Sequence, residues 1–181
     1  RYCFDYPHDY AHHSLTPETL EHFYLTQAPG ILATQQRAAI FAEVLTELVN
    51  DGAVALAVQC GYMDELLRLP TAAAARALIG VDVEASALVA AEANARQHDL
   101  AQQCVLARAD AWELTGATVV FGDITSYERA VDGGVDVVVS NGLNMYVPDD
   151  DEVISLYRSF RQPLRRGGTL VVSALTPPAA W

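Results

Sequence analysis

From residue 53 onward the chain alternates short apolar runs with helical segments, and the first such unit constrains the fold most. Ala53-Val54-Ala55-Leu56-Ala57-Val58 has the length and continuity of a buried strand. It runs into the turn Gln59-Cys60-Gly61-Tyr62-Met63-Asp64 and a leucine-rich helical stretch, Glu65-Leu66-Leu67-Arg68-Leu69. Leu78-Ile79-Gly80-Val81-Asp82 is a second apolar run and ends in an acid. Strand, tight turn, helix, strand and terminal carboxylate make the front end of a nucleotide-binding α/β unit. A pyrophosphate needs backbone N–H groups brought very close, hence several glycines in that turn. Here Gln59 and Met63 stand where two of them would be, so a dinucleotide fits poorly. A P-loop is absent as well.

The alternation continues to the end of the sequence. Ala85 to His98 is alanine-rich and helical, with Leu88, Ala91 and Ala95 facing inward. A third strand, about Cys104 to Ala107, leads to Asp110-Ala111-Trp112. Thr118-Val119-Val120-Phe121, ending in Gly122-Asp123, competes for that place, although spacing from the preceding helix favours Asp110. Val135 to Val139 is β-branched and continuous enough to be a central strand buried on both faces, and it ends in Ser140-Asn141-Gly142. An acidic helix starts at Pro148-Asp149-Asp150-Asp151 and runs to about Leu164. Arg165-Arg166-Gly167-Gly168 then turns the chain into a last strand, Thr169 to Ser173. Strands alternating with helices imply a parallel sheet with right-handed crossovers.

Residues 1–50 read as a separate N-terminal arm and helical cap, and 51–181 as the α/β core. Thr16-Pro17-Glu18 is a helix start, and that helix should stop before Pro29-Gly30. A second helix is expected from Leu32 to Val49, with Ile40, Phe41, Val44, Leu45 and Leu48 at helical spacing. The arm holds His8, His12 and His13 with Tyr2, Tyr6 and Tyr10, which suits either a lid or a polar surface segment. His12-His13 lacks the spaced partners of a zinc site, so no metal is expected. No G-x-S-x-G elbow is present.

Asp82 lies at a strand end where a carboxylate can accept two hydrogen bonds from a ribose diol, or else cap the helix beginning near Ala85. The Asp110 carboxylate could accept from an adenine amine while Trp112 covers the ring, although Trp112 alone also suits a core or interface aromatic.

Cys60-Gly61, Gly80-Val81-Asp82, Asp110-Ala111-Trp112, Asp136 to Asn141 and Leu164 to Leu170 follow one another in an order and spacing that resemble class I S-adenosylmethionine-dependent methyltransferases. The resemblance covers about residues 53–175. It implies a Rossmann-like, doubly wound, mostly parallel sheet. It also implies S-adenosylmethionine as cofactor, with Gln59, Cys60, Gly61 and Tyr62 at the methionyl end. Asp82 and Val83 would lie at the ribose, and Asp110, Ala111 and Trp112 at the adenine. Asn141 and Gly142 would mark the donor–acceptor junction. Asn141, Asn144 and Tyr146 are the catalytic candidates. The family's usual acid in the first motif falls on Ala57. Two of the family's later strands are missing after Ser173, to be sought in a longer chain or in a partner such as a second copy.

The chain carries 11 Lys+Arg against 23 Asp+Glu, a net charge of −12. That balance disfavours nucleic acid and anionic membranes and favours a small-molecule acceptor. No apolar run approaches the ~18–20 residues of a membrane span. Three scattered cysteines, Cys3, Cys60 and Cys104, suit a reducing cytoplasm. The expected activity is methyl transfer to a small molecule. The alternative is a methyltransferase-like module that binds a ligand or partner without catalysing.

Overall fold

The computed structural model describes residues 19–174. The N-terminal arm, its histidines and tyrosines, Cys3 and the helix start at Thr16-Pro17-Glu18 lie outside them. The chain divides into two compact units, 1–44 and 45–181. In the first, α1 (Leu20–Thr26) is capped by the Thr19 hydroxyl, which accepts from the His22 N–H at 3.1 Å. α2 (Pro29–Leu48) starts at the proline and not at Leu32. Proline fits a first helical turn because its missing N–H would have no partner there. Phe41 and Leu45 are buried as their spacing predicts, whereas Ile40 and Val44 are exposed. The division between the units falls inside α2.

The second unit is a six-stranded sheet in the order β4-β3-β2-β1-β5-β6. β1 (Val54–Val58), β2 (Ala77–Asp82) and β5 (Val135–Ser140) are central, and β1 and β2 are buried at every residue. β3 (Cys104–Asp110) lies parallel to β2, while β4 (Glu113–Phe121) turns back antiparallel along its edge. Both candidates for the third strand are therefore strands, and Cys104–Asp110 takes the inner place. β1, β5 and β6 (Leu164–Val172) are parallel to one another. The Arg165-Arg166-Gly167-Gly168 segment is not a turn before the last strand. It is a bulge within β6, between the pairs Val135↔Leu164 and Val137↔Thr169. Asp136 holds this amino edge together: its carboxylate accepts from the Val54 N–H at 2.8 Å and from Arg165 Nε.

Helices cover both faces of the sheet. α3 is a single turn, Asp64–Leu67, shorter than the leucine run suggests. α4 (Ala85–Gln97) buries Leu88, Ala91, Asn94 and Ala95. α5 (Ile124–Arg129) is tied to β4 by Tyr127 Oη, which donates to the Leu114 carbonyl at 2.7 Å. Burial pushes that phenol up to about 12. α6 (Asp150–Arg161) stops before Pro163, which cannot continue a helix. Leu156 and Phe160 of α6 join Val54, Leu56, Val58, Ile79 and Val138 in one core cluster. The buried residues of α4 are not in that cluster, in keeping with a doubly wound arrangement.

On the other face Gly80 is central. A methyl group there would lie 2.8 Å from Leu106 Cδ2, 2.9 Å from Met63 Sδ and 3.0 Å from Cys60 Sγ. Side chains from the β1–α3 turn occupy the space that β2 leaves. Gly80→Ala should cost about 1–3 kcal/mol by overpacking. Met63→Ala should be less damaging in that background than alone, because the two changes share one space. Denaturant unfolding of the two single variants and the double variant checks this. Strictly additive effects would show that the contact is unimportant.

Candidate functional site

The loops leaving the carboxyl ends of β1, β2, β3 and β5 lie along one edge of the sheet, and they carry all the expected cofactor residues. The connections from β1 and β5 run to opposite sides, so the crevice of an open α/β sheet falls between these two strands.

The β1–α3 turn keeps a glycine-type backbone without the glycines. Gln59, Gly61 and Met63 have φ of 58°, 51° and 60°. Left-handed geometry costs a non-glycine residue roughly 1–2 kcal/mol. Met63 offsets this cost by burying its side chain completely beneath the turn. Gln59 has an exposed side chain and no such compensation. A Cβ at Gly61 would meet nothing within 4 Å, so the outer face of the turn is open.

The turn's amides are directed inward. Cys60 N–H donates to the Val81 carbonyl at 3.0 Å, Gly61 N–H to Asp82 Oδ2 at 3.0 Å and Met63 N–H to the Cys60 carbonyl at 2.6 Å. Asp82 Oδ1 accepts from the Glu84 N–H at 3.0 Å. Asp82 is 6% exposed. It is not the N-cap of α4, a position held by Glu84 without a side-chain bond. It braces the glycine turn against the start of the β2–α4 loop. Asn94 supports the same turn from α4, its Nδ2 lying 2.8 Å from the Tyr62 carbonyl and 3.0 Å from Asp64 Oδ1.

The Cys60 thiol points into the core beside Gly80, so only its backbone is left to line the crevice. Burial first, and then the carboxylates of Asp82 and Glu65, push this thiol well above its ordinary range. Burial also takes Cys104 up to about 12. Neither is a thiolate nucleophile near neutral pH.

At the next loop Asp110 Oδ1 accepts from the Trp112 N–H at 2.9 Å, and Trp112 Nε1 donates to the Glu152 carbonyl of α6 at 3.2 Å. The neighbouring Ala111 carbonyl accepts from Ser159 Oγ. Val83 is exposed, and its carbonyl accepts from Arg108 Nε at 3.0 Å. Asp123 follows the antiparallel β4 and so lies at the opposite, amino edge. There it caps α5, and its carboxyl group is held below its usual range, chiefly by the Ser126 hydroxyl.

After β5, Asn141 is fixed at both ends of its amide. Nδ2 donates to Glu65 Oε1 at 3.3 Å, and Oδ1 accepts from Ser173 Oγ at 3.2 Å. Gly142 is buried at φ 104° and starts a 3-10 turn, Leu143–Tyr146. Asn144 is half-buried on that turn, whereas Tyr146 is 82% exposed and is not gathered with the others. Ser140 Oγ, at the end of β5, is buried without a hydrogen-bond partner.

Sequence reasoning missed Glu65, Asn94 and Ser173. Asn94 had a signal, since it interrupts the inward phase of Ala91 and Ala95. Glu65 and Ser173 had none, because their role depends on a contact with Asn141 far along the chain.

A solved structure described as a possible exported protein from Bordetella parapertussis is 37% identical, with a TM-score of 0.73 over 91% of this chain and 52% of that one. An S-adenosylmethionine-dependent methyltransferase from Thiobacillus denitrificans, solved with S-adenosyl-L-homocysteine, matches at 18% identity and a TM-score of 0.52. The match covers 74% of this chain and 47% of that one. This chain has the class I methyltransferase fold. The precorrin-8w decarboxylase of Methanobacterium thermoautotrophicum is also similar, at 22% identity and a TM-score of 0.53 over 75% of this chain and 62% of that one. The chain thus spans between 47% and 62% of the length of these structures. No family model and no curated protein matches the sequence.

The two non-glycine residues at positive φ make opposite predictions for stability. Gln59→Gly should stabilise the protein by about 0.5–1 kcal/mol, as strain is relieved and partly offset by the entropy of a new glycine. Met63→Gly should destabilise it by about 2–4 kcal/mol through lost burial. Thermal unfolding of both variants checks the pair.

Proposed function

We propose that this protein binds S-adenosylmethionine in the crevice between β1 and β5 and transfers its methyl group to a small-molecule acceptor. The observation that carries the reading is the inward direction of the turn's amides. With the Cys60, Gly61 and Met63 N–H groups committed, the turn offers a pyrophosphate fewer amides than a glycine-rich loop does. Asp82 adds a carboxylate beside the same turn. A phosphate-free nucleoside with a positive centre suits these surroundings, and an open face at Gly61 leaves it room.

When bound, the cofactor supplies a methyl group on a sulfonium sulfur, open to in-line displacement by a nucleophile. The chain's own residues would supply binding and orientation. Each Asp82 oxygen accepts one backbone N–H and keeps a lone pair for a ribose hydroxyl. Asp110 keeps Oδ2 for an adenine amine, with the Trp112 indole fixed beside it by α6. Holding two reactants in line supplies much of the catalysis for such a reaction. The net charge of −12 supports a small acceptor over a polyanion.

A second reading, ligand binding without methyl transfer, is favoured by the catalytic candidates. The Asn141 amide is committed at both ends, and Tyr146 is in solvent. Buried free thiols at Cys60 and Cys104 support a cytoplasmic location. The description of the Bordetella relative points instead to export. Among the described residues no helix is long and apolar enough to cross a membrane.

Titration calorimetry should detect S-adenosylmethionine and S-adenosylhomocysteine but not NAD. Absence of binding at millimolar S-adenosylmethionine overturns the reading, and tight NAD binding replaces it. Asp82→Ala strips the acceptor from two backbone N–H groups. It should lower stability by about 1–3 kcal/mol and markedly weaken cofactor binding. Unchanged affinity in the folded variant would reduce Asp82 to a structural brace.

A further inference from the structure

We infer that Asn94 is a positioning residue for the ligand site: its side-chain amide latches the Tyr62–Met63 peptide and so holds the β1–α3 turn in the shape that receives the cofactor. This role rests on the cofactor reading proposed above and deepens it by assigning the turn's hold to a residue of α4.

Asn94 sits on the inner face of α4 with Leu88, Ala91 and Ala95 and is 3% exposed. An apolar face is a costly place for an amide, and only half of this one is used. Nδ2 donates to the Tyr62 carbonyl at 2.8 Å and to Asp64 Oδ1 at 3.0 Å. Oδ1 is buried without a hydrogen-bond partner among the described residues. A buried acceptor left unpaired lowers stability, and an apolar side chain of the same size would avoid that cost. The two Nδ2 bonds are therefore what the asparagine contributes there.

The Tyr62 carbonyl is a sensitive point of the turn. The Tyr62–Met63 peptide is held at both ends, its carbonyl by Asn94 and its N–H by the Cys60 carbonyl at 2.6 Å. Gly61 and Met63, on either side of Tyr62, have φ of 51° and 60°. Turning this peptide over would carry the φ of Met63 by about half a turn into the extended region that residues with side chains favour. Backbone strain at Met63 works toward that flip, and the Asn94 bond works against it. A flip would exchange the places of the Tyr62 carbonyl and the Met63 N–H, next to the open face at Gly61. The turn would then present different atoms to a ligand. Tyr62 is exposed and Asp64 half-buried, so water can reach this segment when the amide is removed.

The test is Asn94→Leu, which keeps the side chain's size and removes its donors. Residue-by-residue amide hydrogen exchange, followed by NMR without ligand, should show the Met63 N–H losing protection while the amides of β1 and β2 keep theirs. Calorimetry should show S-adenosylmethionine and S-adenosylhomocysteine weakened together by about three- to ten-fold, as the fraction of turn in the receiving shape falls. A Met63 amide as protected as in the wild type overturns the inference. Exchange raised evenly across β1, β2 and α4 also overturns it, because Asn94 would then serve packing alone. So does an opened turn with unchanged affinity for both ligands. A wild-type measurement covers a variant that does not fold. The Asn94 side-chain amide protons should exchange slowly, and exchange as fast as in a free asparagine side chain overturns the inference. Wild-type protein that binds neither ligand overturns the cofactor reading, and the Met63 amide still decides whether Asn94 holds the turn.

Discussion

The missing side chain at Gly80 is the constraint on which the ligand edge depends. Because β2 leaves a gap there, Met63 and Cys60 can turn their sulfurs down into the sheet face against Leu106. With Met63 anchored beneath it, the β1–α3 turn can hold three left-handed residues although only one is glycine. That backbone path aims the Gly61 N–H at Asp82 and leaves the outer face of the turn open. Packing in the core thus determines which atoms the crevice presents.

The same arrangement changes the electrostatics of a familiar architecture. In a phosphate-binding turn, N–H groups point outward and the loop acts as an anion nest. Here the Cys60, Gly61 and Met63 amides are taken by Val81, Asp82 and Cys60, and charges of both signs stand nearby, Asp82 at the turn and Arg108 at the Val83 carbonyl. Asn141 links Glu65 to the β5 and β6 side of the sheet.

The fold does not decide the reaction. A methyltransferase and a decarboxylase both stand among the similar structures. The committed state of Asn141 and the exposure of Tyr146 separate ligand binding from catalysis as distinct questions for this chain.

Much of the architecture could be read from local pattern. Short apolar runs marked β1 and β2, a β-branched one marked β5, and the alternation with helices implied their parallel order, because periodicity and strand propensity are properties of neighbouring residues. The same reading located Gly61, Asp82, Asp110 and Asn141 on one edge, since each follows its strand directly. It failed where the outcome depends on distant partners. Thr118–Phe121 is an antiparallel edge because β3 holds the place beside β2, and this puts Asp123 at the far edge. The arginine–glycine segment became a bulge because Arg165 meets Asp136 on the neighbouring strand. Glu65 and Ser173 gained a role only when folding brought both to Asn141. The sequence by itself determined which strands form and which residues sit at their ends. Tertiary structure decided which way the turn's hydrogen bonds point and which charges share the crevice, because those follow from contacts between residues remote in the chain.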